Sequence, residues 1–264
     1  MLTQVEKSQV CCQYLEFDSK LFGVGVGRVS ATELTDELAK NCCDWAGENS
    51  VKCLYYLCSA SDSNSIQIAQ RHGFQLADVR LTFSISLPGA HTDQPLESHS
   101  PVDIEVRHYR TGDLPALLPI ASTSYGDTRF YQDLRFNREA CDRLYEIWLE
   151  KSCNGYANAV FVADNGREPV GFITCHLMPD NAGNVGLVGV SDTAKGRGIG
   201  RALVQAALEW FTEQSRSYIT VVTQERNVAA QKLYQRCGFS LQNTDLWFHR
   251  WSATDPRWDK PSTE

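Results

Sequence analysis

The stretch VGLVGVSDTAKGRGIGRALVQAALEWF, residues 185–211, decides how this chain is read. Val185 to Val190 read as a buried strand, and Arg201 to Phe211 carry apolar residues at helical spacing. Between them stands Lys195-Gly196-Arg197-Gly198-Ile199-Gly200. Strand, glycine loop and helix make an anion-binding arrangement. Glycines let successive N–H groups turn toward one point, and the helix start adds unpaired donors and a positive dipole end. Such a nest suits a diphosphate. A Walker A loop would end in Gly-Lys-Ser/Thr, and a dinucleotide fold would carry Gly-x-Gly-x-x-Gly after a first strand; neither pattern is met here. A similar run, Gly23-x-Gly25-x-Gly27, alternates with valines and reads as strand rather than loop.

Working outward, a shift of 165 residues lays the region after this loop onto the N-terminal part of the chain. Leu38 falls on Leu203, Trp45 on Trp210, Gln70 and Arg71 on Gln235 and Arg236, and Gly73 and Phe74 on Gly238 and Phe239. Leu76, Leu81 and Phe83 meet Leu241, Leu246 and Phe248. The same order of elements is predicted in both copies: helix (33–47 and 200–214), strand (51–58 and 218–224), helix (63–72 and 228–237), strand (75–86 and 240–250). The copies differ where chemistry would sit. The first has Ser30 to Thr35 in place of the glycine loop, Ala69 where Tyr234 stands, and Asp62 where Asn227 stands, so it reads as a scaffold.

Residues 88–103, with their prolines and histidines and no apolar period, read as an exposed connection. The expected organisation is a degenerate N-terminal half at 1–87, the connection at 88–103, a ligand-binding half at 104–251 and a frayed tail at 252–264.

The whole chain has 264 residues, 42% hydrophobic and 22% charged, the composition of an ordinary globular protein. A net charge of -7 without a clustered basic surface argues against a nucleic-acid partner. Apolar runs such as 159–163 are strand-length and far short of the roughly 18 residues that span a bilayer. The first twenty residues lack the apolar core of a secretory signal, so a cytoplasmic location is expected. The ten cysteines include the adjacent pairs Cys11-Cys12 and Cys42-Cys43 and no Cys-x-x-Cys, which suits neither metal ligation nor a disulfide framework. They are expected to be reduced and mostly buried, with no metal bound.

The stretch quoted first, followed by TVVTQERNVAAQKLYQRCGF at 220–239, resembles the GNAT superfamily of acyl-CoA-dependent N-acetyltransferases. The resemblance covers roughly Ile104 to Trp251. It implies an α/β (α+β) GNAT fold in both halves, with a mixed, mainly antiparallel sheet flanked by helices, and acetyl-CoA as co-substrate. In that family a Q/R-x-x-G-x-G/A loop holds the coenzyme diphosphate; here Lys195, Gly198 and Gly200 fall on it, with Gly196, Arg197, Ile199 and Arg201 alongside. Lysine departs from the usual first residue, a mild change because most donors of the loop are backbone groups. The resemblance also places the thioester beside Val188 and Val190, whose amides would bond the pantetheine arm and the developing oxyanion, and turns Asn227 toward the coenzyme.

Acyl transfer to an amine needs a neutral amine, a positioned carbonyl, a stabilised oxyanion and a proton for the leaving thiolate. Tyr234 is the candidate general acid, because a phenol stays protonated at neutral pH. Asn227 also suits a helix cap. For the base, His176 suits a structural role better and Asp192 a turn, which leaves water as the relay. A closer likeness, in residues 15–24 and in Arg129-Phe130, resembles family members that acetylate a nucleotide-linked 4-amino sugar. It implies a dTDP-amino-dideoxy sugar as small-molecule acceptor, for surface glycan synthesis, with Arg129, Phe130, Tyr131 and Phe22 as acceptor residues. A protein, peptide or other small amine, or a non-catalytic acyl-CoA-binding module, are the alternatives. A homodimer is compatible with the sequence.

Overall fold

The computed structural model describes residues 11–87 and 103–252. Apart from Asp103 and Ser252, the expected connection and tail lie outside the described residues. Two compact units divide the chain: Met1–Val79 with Asp133–Arg135 and Asp245–Glu264, and Arg80–Gln132 with Phe136–Thr244.

The first unit runs β1 (Cys12–Tyr14), α1 (Glu16–Phe22), β2 (Val26–Val29), α2 (Asp36–Glu48), β3 (Cys53–Ser59) and α3 (Ser63–Arg71), then the start of β4 (Gln75–Ser86). Its sheet order is β1-β2-β3 followed by the end of β10 (Ser240–Trp251), and only β2 and β3 are parallel. Helices α2 and α3 cover the face that carries Leu54, Tyr56, Cys58 and Phe248, and Ala39, Cys42, Ile68 and Phe74 close that core. Gly23 ends α1 in the left-handed conformation, and a Cβ on Gly25 would stand 2.3 Å from the Ser50 carbonyl oxygen. Both glycines are thus explained by backbone packing.

The second unit holds the rest of β4, then β5 (Glu105–His108), α4 (Leu114–Thr123), α5 (Arg129–Gln132), α6 (Arg138–Lys151), β6 (Ala159–Asp164), β7 (Pro169–Leu177), β8 (Ala182–Val190), α7 (Ile199–Glu213), β9 (Tyr218–Gln224), α8 (Val228–Arg236) and the start of β10. Its sheet runs β10-β4-β9-β8-β7-β6-β5, with β8 and β9 the parallel pair. Helix α7 packs on one face, where Ile199 and Leu203 meet Gly171, and α4 on the other, where Ser124 meets Gly189.

The repeat is present and is closed by exchange. Helices α3 and α8, strands β3 and β9, and strands β4 and β10 are related by the 165-residue shift at both ends. Strand β4, the last of the first copy, pairs with β9 of the second from Arg80↔Gln224 to Ser86↔Tyr218. Strand β10, the last of the second copy, pairs with β3 of the first from Asp245↔Ser59 to Trp251↔Cys53, which is the same register under the shift. Each copy therefore lends the other its closing strand, and the unit boundary passes through β4 and β10. Pairing of this kind removes an edge that would otherwise present unpaired N–H and C=O groups.

None of the ten cysteines forms a disulfide; five are buried and four half-buried. No helix among the described residues is long and apolar enough to cross a membrane.

Candidate active site

Strands β8 and β9 pair only from Ala182↔Tyr218 to Val185↔Val221. Beyond Val185, β8 stays on β7 as far as Val190↔Gly171, while β9 stays on β4 as far as Gln224↔Arg80. The two parallel strands thus splay. Val185–Val190 is not the fully buried strand expected from its residues: Gly186 is exposed and Leu187, Val188 and Val190 are half-buried, because β9 has moved away from them. A register shift opposite Thr174 marks a bulge, where Leu187 N–H donates to Thr174 Oγ1 at 2.8 Å. Ser191 N–H donates to the Val170 carbonyl on the β7 side, at 2.9 Å. Strand alternation then turns the amides and carbonyls of Val188 and Val190 toward the opening.

The first copy has no such opening. Its β2 pairs with β3 over Val26–Arg28 and stops at Val29. Val29 stands seven residues before Asp36, whereas Val185 stands sixteen before Arg201, the shift-equivalent of Asp36. Nine extra residues in the second copy supply the splayed strand and the loop.

That loop begins with a 3-10 turn at Asp192–Ala194, where Ala194 N–H bonds the Ser191 carbonyl at 2.8 Å. Asp192, the turn residue expected, takes an exposed ion pair from Lys195 Nζ at 2.6 Å. Gly196 and Gly198 have φ of +78° and +82°, left-handed values that a residue with a Cβ resists. Buried Ala194 and Ile199 pin the loop at each end. Among the described residues, no amide from Lys195 to Arg201 donates to an acceptor of the chain. The first internal bond of α7 is Ala202 N–H to the Gly198 carbonyl, at 3.1 Å. Gly200 has a separate reason: a Cβ there would stand 3.1 Å from Leu233 of α8. Unspent amides at the start of a 15-residue helix, with exposed Lys195, Arg197 and Arg201, fit a diphosphate.

Tyr234 on α8 is 5% exposed, its ring between Phe83 and Phe239. Burial pushes its phenol well above the ordinary tyrosine value. Among the described residues its hydroxyl has no hydrogen-bond partner in the chain. Asn227 caps α8, its Oδ1 accepting from Ala230 N–H at 3.0 Å, which leaves its Nδ2 donors to face elsewhere.

A splay between two parallel strands, a bulge in one of them and a loop of unspent amides beyond it now stand together with their match to known proteins: residues 123–239 match the acetyltransferase (GNAT) family. Over those residues the chain carries a GNAT acetyltransferase region. The chain is 27% identical over 146 residues to the spore coat polysaccharide biosynthesis protein SpsD of Bacillus subtilis, 55% of this chain and 50% of that one. To the dTDP-fucosamine acetyltransferase of Escherichia coli O6:H1 it is 26% identical over 195 residues, 73% of this chain and 79% of that one. A mycothiol acetyltransferase of Propionibacterium freudenreichii is 26% identical over 176 residues, 66% of this chain and 54% of that one. The match thus spans about half the length of the first and third of these relatives. A GCN5-related N-acetyltransferase from Sphaerobacter thermophilus shares the fold, with a TM-score of 0.67 at 17% identity over 91% of this chain and 76% of that one.

The expected acceptor residues fall in both units. Phe22 closes α1 in the first unit and is 9% exposed. Arg129, Phe130 and Tyr131 form α5 in the second. Phe130 packs edge-on against Phe136 and Trp148, with the Arg129 guanidinium 4.1 Å from its ring. Tyr131 gives its hydroxyl to Asp142 Oδ1 at 2.6 Å. His176, half-buried on β7, lies against the exposed Tyr156 ring with centroids 5.4 Å apart. Burial lowers its basicity, so it stays neutral where an ordinary histidine begins to charge. A Cβ on Gly186 would stand 2.6 Å from His176 Nε2, so glycine there is what makes room for the imidazole at the bulge. Among the described residues, no group of three or more His, Cys, Asp or Glu is placed to hold a metal.

One neighbour of the opening carries no sequence signal. Tyr125, in the turn after α4, donates its hydroxyl to the Val188 carbonyl at 3.1 Å and stacks on Tyr145 with centroids 4.2 Å apart. Burial, with the Tyr234 phenol nearby as the next cause, raises its own phenol well above the ordinary value.

Proposed function

We propose that this enzyme transfers the acetyl group of acetyl-CoA to the 4-amino group of a dTDP-amino-dideoxy sugar in the cytoplasm, for surface glycan synthesis. The observation that carries the acyl-CoA part is the run of unspent amides from Lys195 to Arg201 beside the splay. Those amides would hold the diphosphate. Amides of Val188 and Val190 would hold the pantetheine arm and the thioester oxygen, which strengthens as negative charge develops there. Acetyl-CoA supplies the activated acyl group. As the amine nitrogen bonds to the acyl carbon and the C–S bond breaks, Tyr234 gives its proton to the departing sulfur. The proton lost by the amine leaves through water and restores the phenol.

The sugar acceptor rests on the likeness to the dTDP-fucosamine acetyltransferase and to the spore coat polysaccharide protein. The mycothiol acetyltransferases among the relatives favour a second reading, with a different small amine as acceptor. Incubation of acetyl-CoA with a mixture of dTDP-amino sugars, deacetylated mycothiol and peptide amines, followed by mass spectrometry, separates them. Acetylated dTDP-sugar is the expected product. Acetylation of another amine alone rejects the sugar reading, and no acetylated product at all rejects the enzymatic one.

A further inference from the structure

Tyr125 is built into the opening from three sides. Its carbonyl accepts from Thr128 N–H at 3.1 Å, closing the turn after α4. Its ring lies 15° from parallel on Tyr145, whose hydroxyl is tied to Thr128 Oγ1 at 2.9 Å in the buried interior. Its hydroxyl reaches the carbonyl of Val188, in the segment of β8 that β9 has left. The adjacent Ser124 sits on the same stretch, since a Cβ on Gly189 would stand 3.1 Å from its Oγ.

A phenol has one hydrogen and two acceptor sites. The Tyr125 hydrogen is committed to Val188, so the oxygen has only lone pairs to offer the opening. A developing oxyanion repels such an oxygen. An amine N–H is the partner it suits, and an amine that gives one N–H to a fixed acceptor has its own lone pair directed away from that acceptor. Tyr125 also stands on the α4 face of the sheet, with Phe172 and Gly189, opposite the face on which α7 packs. The aromatic stack of Tyr125, Tyr145 and Tyr131 stiffens that wall.

We infer that Tyr125 is an acceptor-binding residue: its hydroxyl, locked by the Val188 carbonyl, accepts an N–H of the attacking primary amine and aims the nitrogen lone pair at the thioester beside β8. This assignment rests on the acyl-transfer reading above and adds the residue that orients the amine. The closing experiment compares Tyr125→Phe with wild type, using the amine of the mixture that wild type acetylates. Steady-state kinetics in each substrate and calorimetric titration with acetyl-CoA are read together, with a thermal melt to show that the variant is folded. The variant keeps the ring and its stack. The expected result is a fall of about tenfold in kcat/KM for the amine, the worth of one hydrogen bond, with acetyl-CoA affinity unchanged within about twofold. An unchanged kcat/KM for the amine overturns the assignment, as does an equal loss in acetyl-CoA affinity, which would make Tyr125 a prop for β8. Should Tyr125→Phe not fold, Tyr145→Phe, which frees Thr128 and loosens the platform, is measured in the same way, with a loss confined to the amine expected. Wild type that acetylates no amine fails the functional reading itself, and the assignment falls with it.

Discussion

Asp62 and Asn227 occupy the same place in the two copies, 165 residues apart, and do the same local work: each accepts from the N–H three residues on, Ser65 for Asp62 and Ala230 for Asn227, both at 3.0 Å. The cap is common to both copies. Only the second cap stands beside an opened strand pair, and only there is the residue an amide with N–H donors to spare.

The two roles of Asn227 come apart on substitution. Asn227→Asp keeps the cap oxygen and loses the donors, so the melting temperature should hold while the KM for acetyl-CoA rises several-fold. Asn227→Ala should also cost about 1 kcal/mol of stability. A KM for acetyl-CoA that stays at the wild-type value in both variants would leave Asn227 a cap and nothing more.

Tyr234→Phe removes the proton donor and keeps the ring against Phe83 and Phe239. Turnover should fall by roughly 100-fold, within the range for loss of a general acid, with acetyl-CoA affinity retained. Because burial raises the Tyr234 phenol, the protonated form persists above the ordinary tyrosine range, so wild-type kcat should show no alkaline loss from this group below about pH 10. A Phe variant with full turnover would remove Tyr234 from the chemistry.

Asp133 tests the first unit. Its Oδ2 takes His249 Nδ1 at 2.8 Å and Trp251 Nε1 at 2.7 Å, with His249 1% exposed. Burial alone would raise this carboxyl, but the hydrogen bonds from His249 and Trp251 outweigh it and hold the group below its ordinary value. The folded state therefore gains stability that is present above the unfolded carboxylate pKa of about 4 and is lost as pH falls through the depressed folded value. Asp133→Ala should cost about 3 kcal/mol at neutral pH and flatten the acid limb of the stability profile. Chemical denaturation from pH 7 to pH 3 checks this; an unchanged acid limb would show that the carboxylate contributes nothing.

The strand exchange predicts that neither copy stands alone. Residues 104–252 lack β4 and would expose the β9 edge, with Ile219 and Val221 losing the neighbours Ile85 and Phe83. Expressed separately, the two segments should be insoluble or unfolded by circular dichroism, and co-expression should recover a soluble pair. A folded, monomeric 104–252 fragment would contradict the exchange.

Much of this was legible in the sequence because it is local. Helical spacing, the glycines of the loop and the 165-residue repeat all survive in one dimension. The exchange of β4 and β10 was not, because each strand pairs with a segment well over a hundred residues from its sequence neighbours and its apolar pattern is the same in either arrangement. The nine-residue difference between the copies was hidden too, since Gly25 and Gly27 imitate the glycines of β8 although they serve close backbone and Trp45 contacts. Tyr125 lies in a polar stretch, Ser122 to Asp127, and only its tertiary partner Val188 reveals it. Phe130 and Tyr131 were singled out by resemblance alone, and their rings lie against Phe136, Trp148 and Tyr145.

The claim on which the rest depends is that the amides of residues 195–201 receive the coenzyme. Backbone amide NMR of the full chain, titrated with acetyl-CoA, reads those groups one by one. Saturable shifts of the Gly196, Gly198, Ile199 and Gly200 resonances, larger than those of the shift-equivalent segment 31–35, are the predicted result. Saturable binding that leaves all four unmoved, or no binding at millimolar acetyl-CoA, would contradict it.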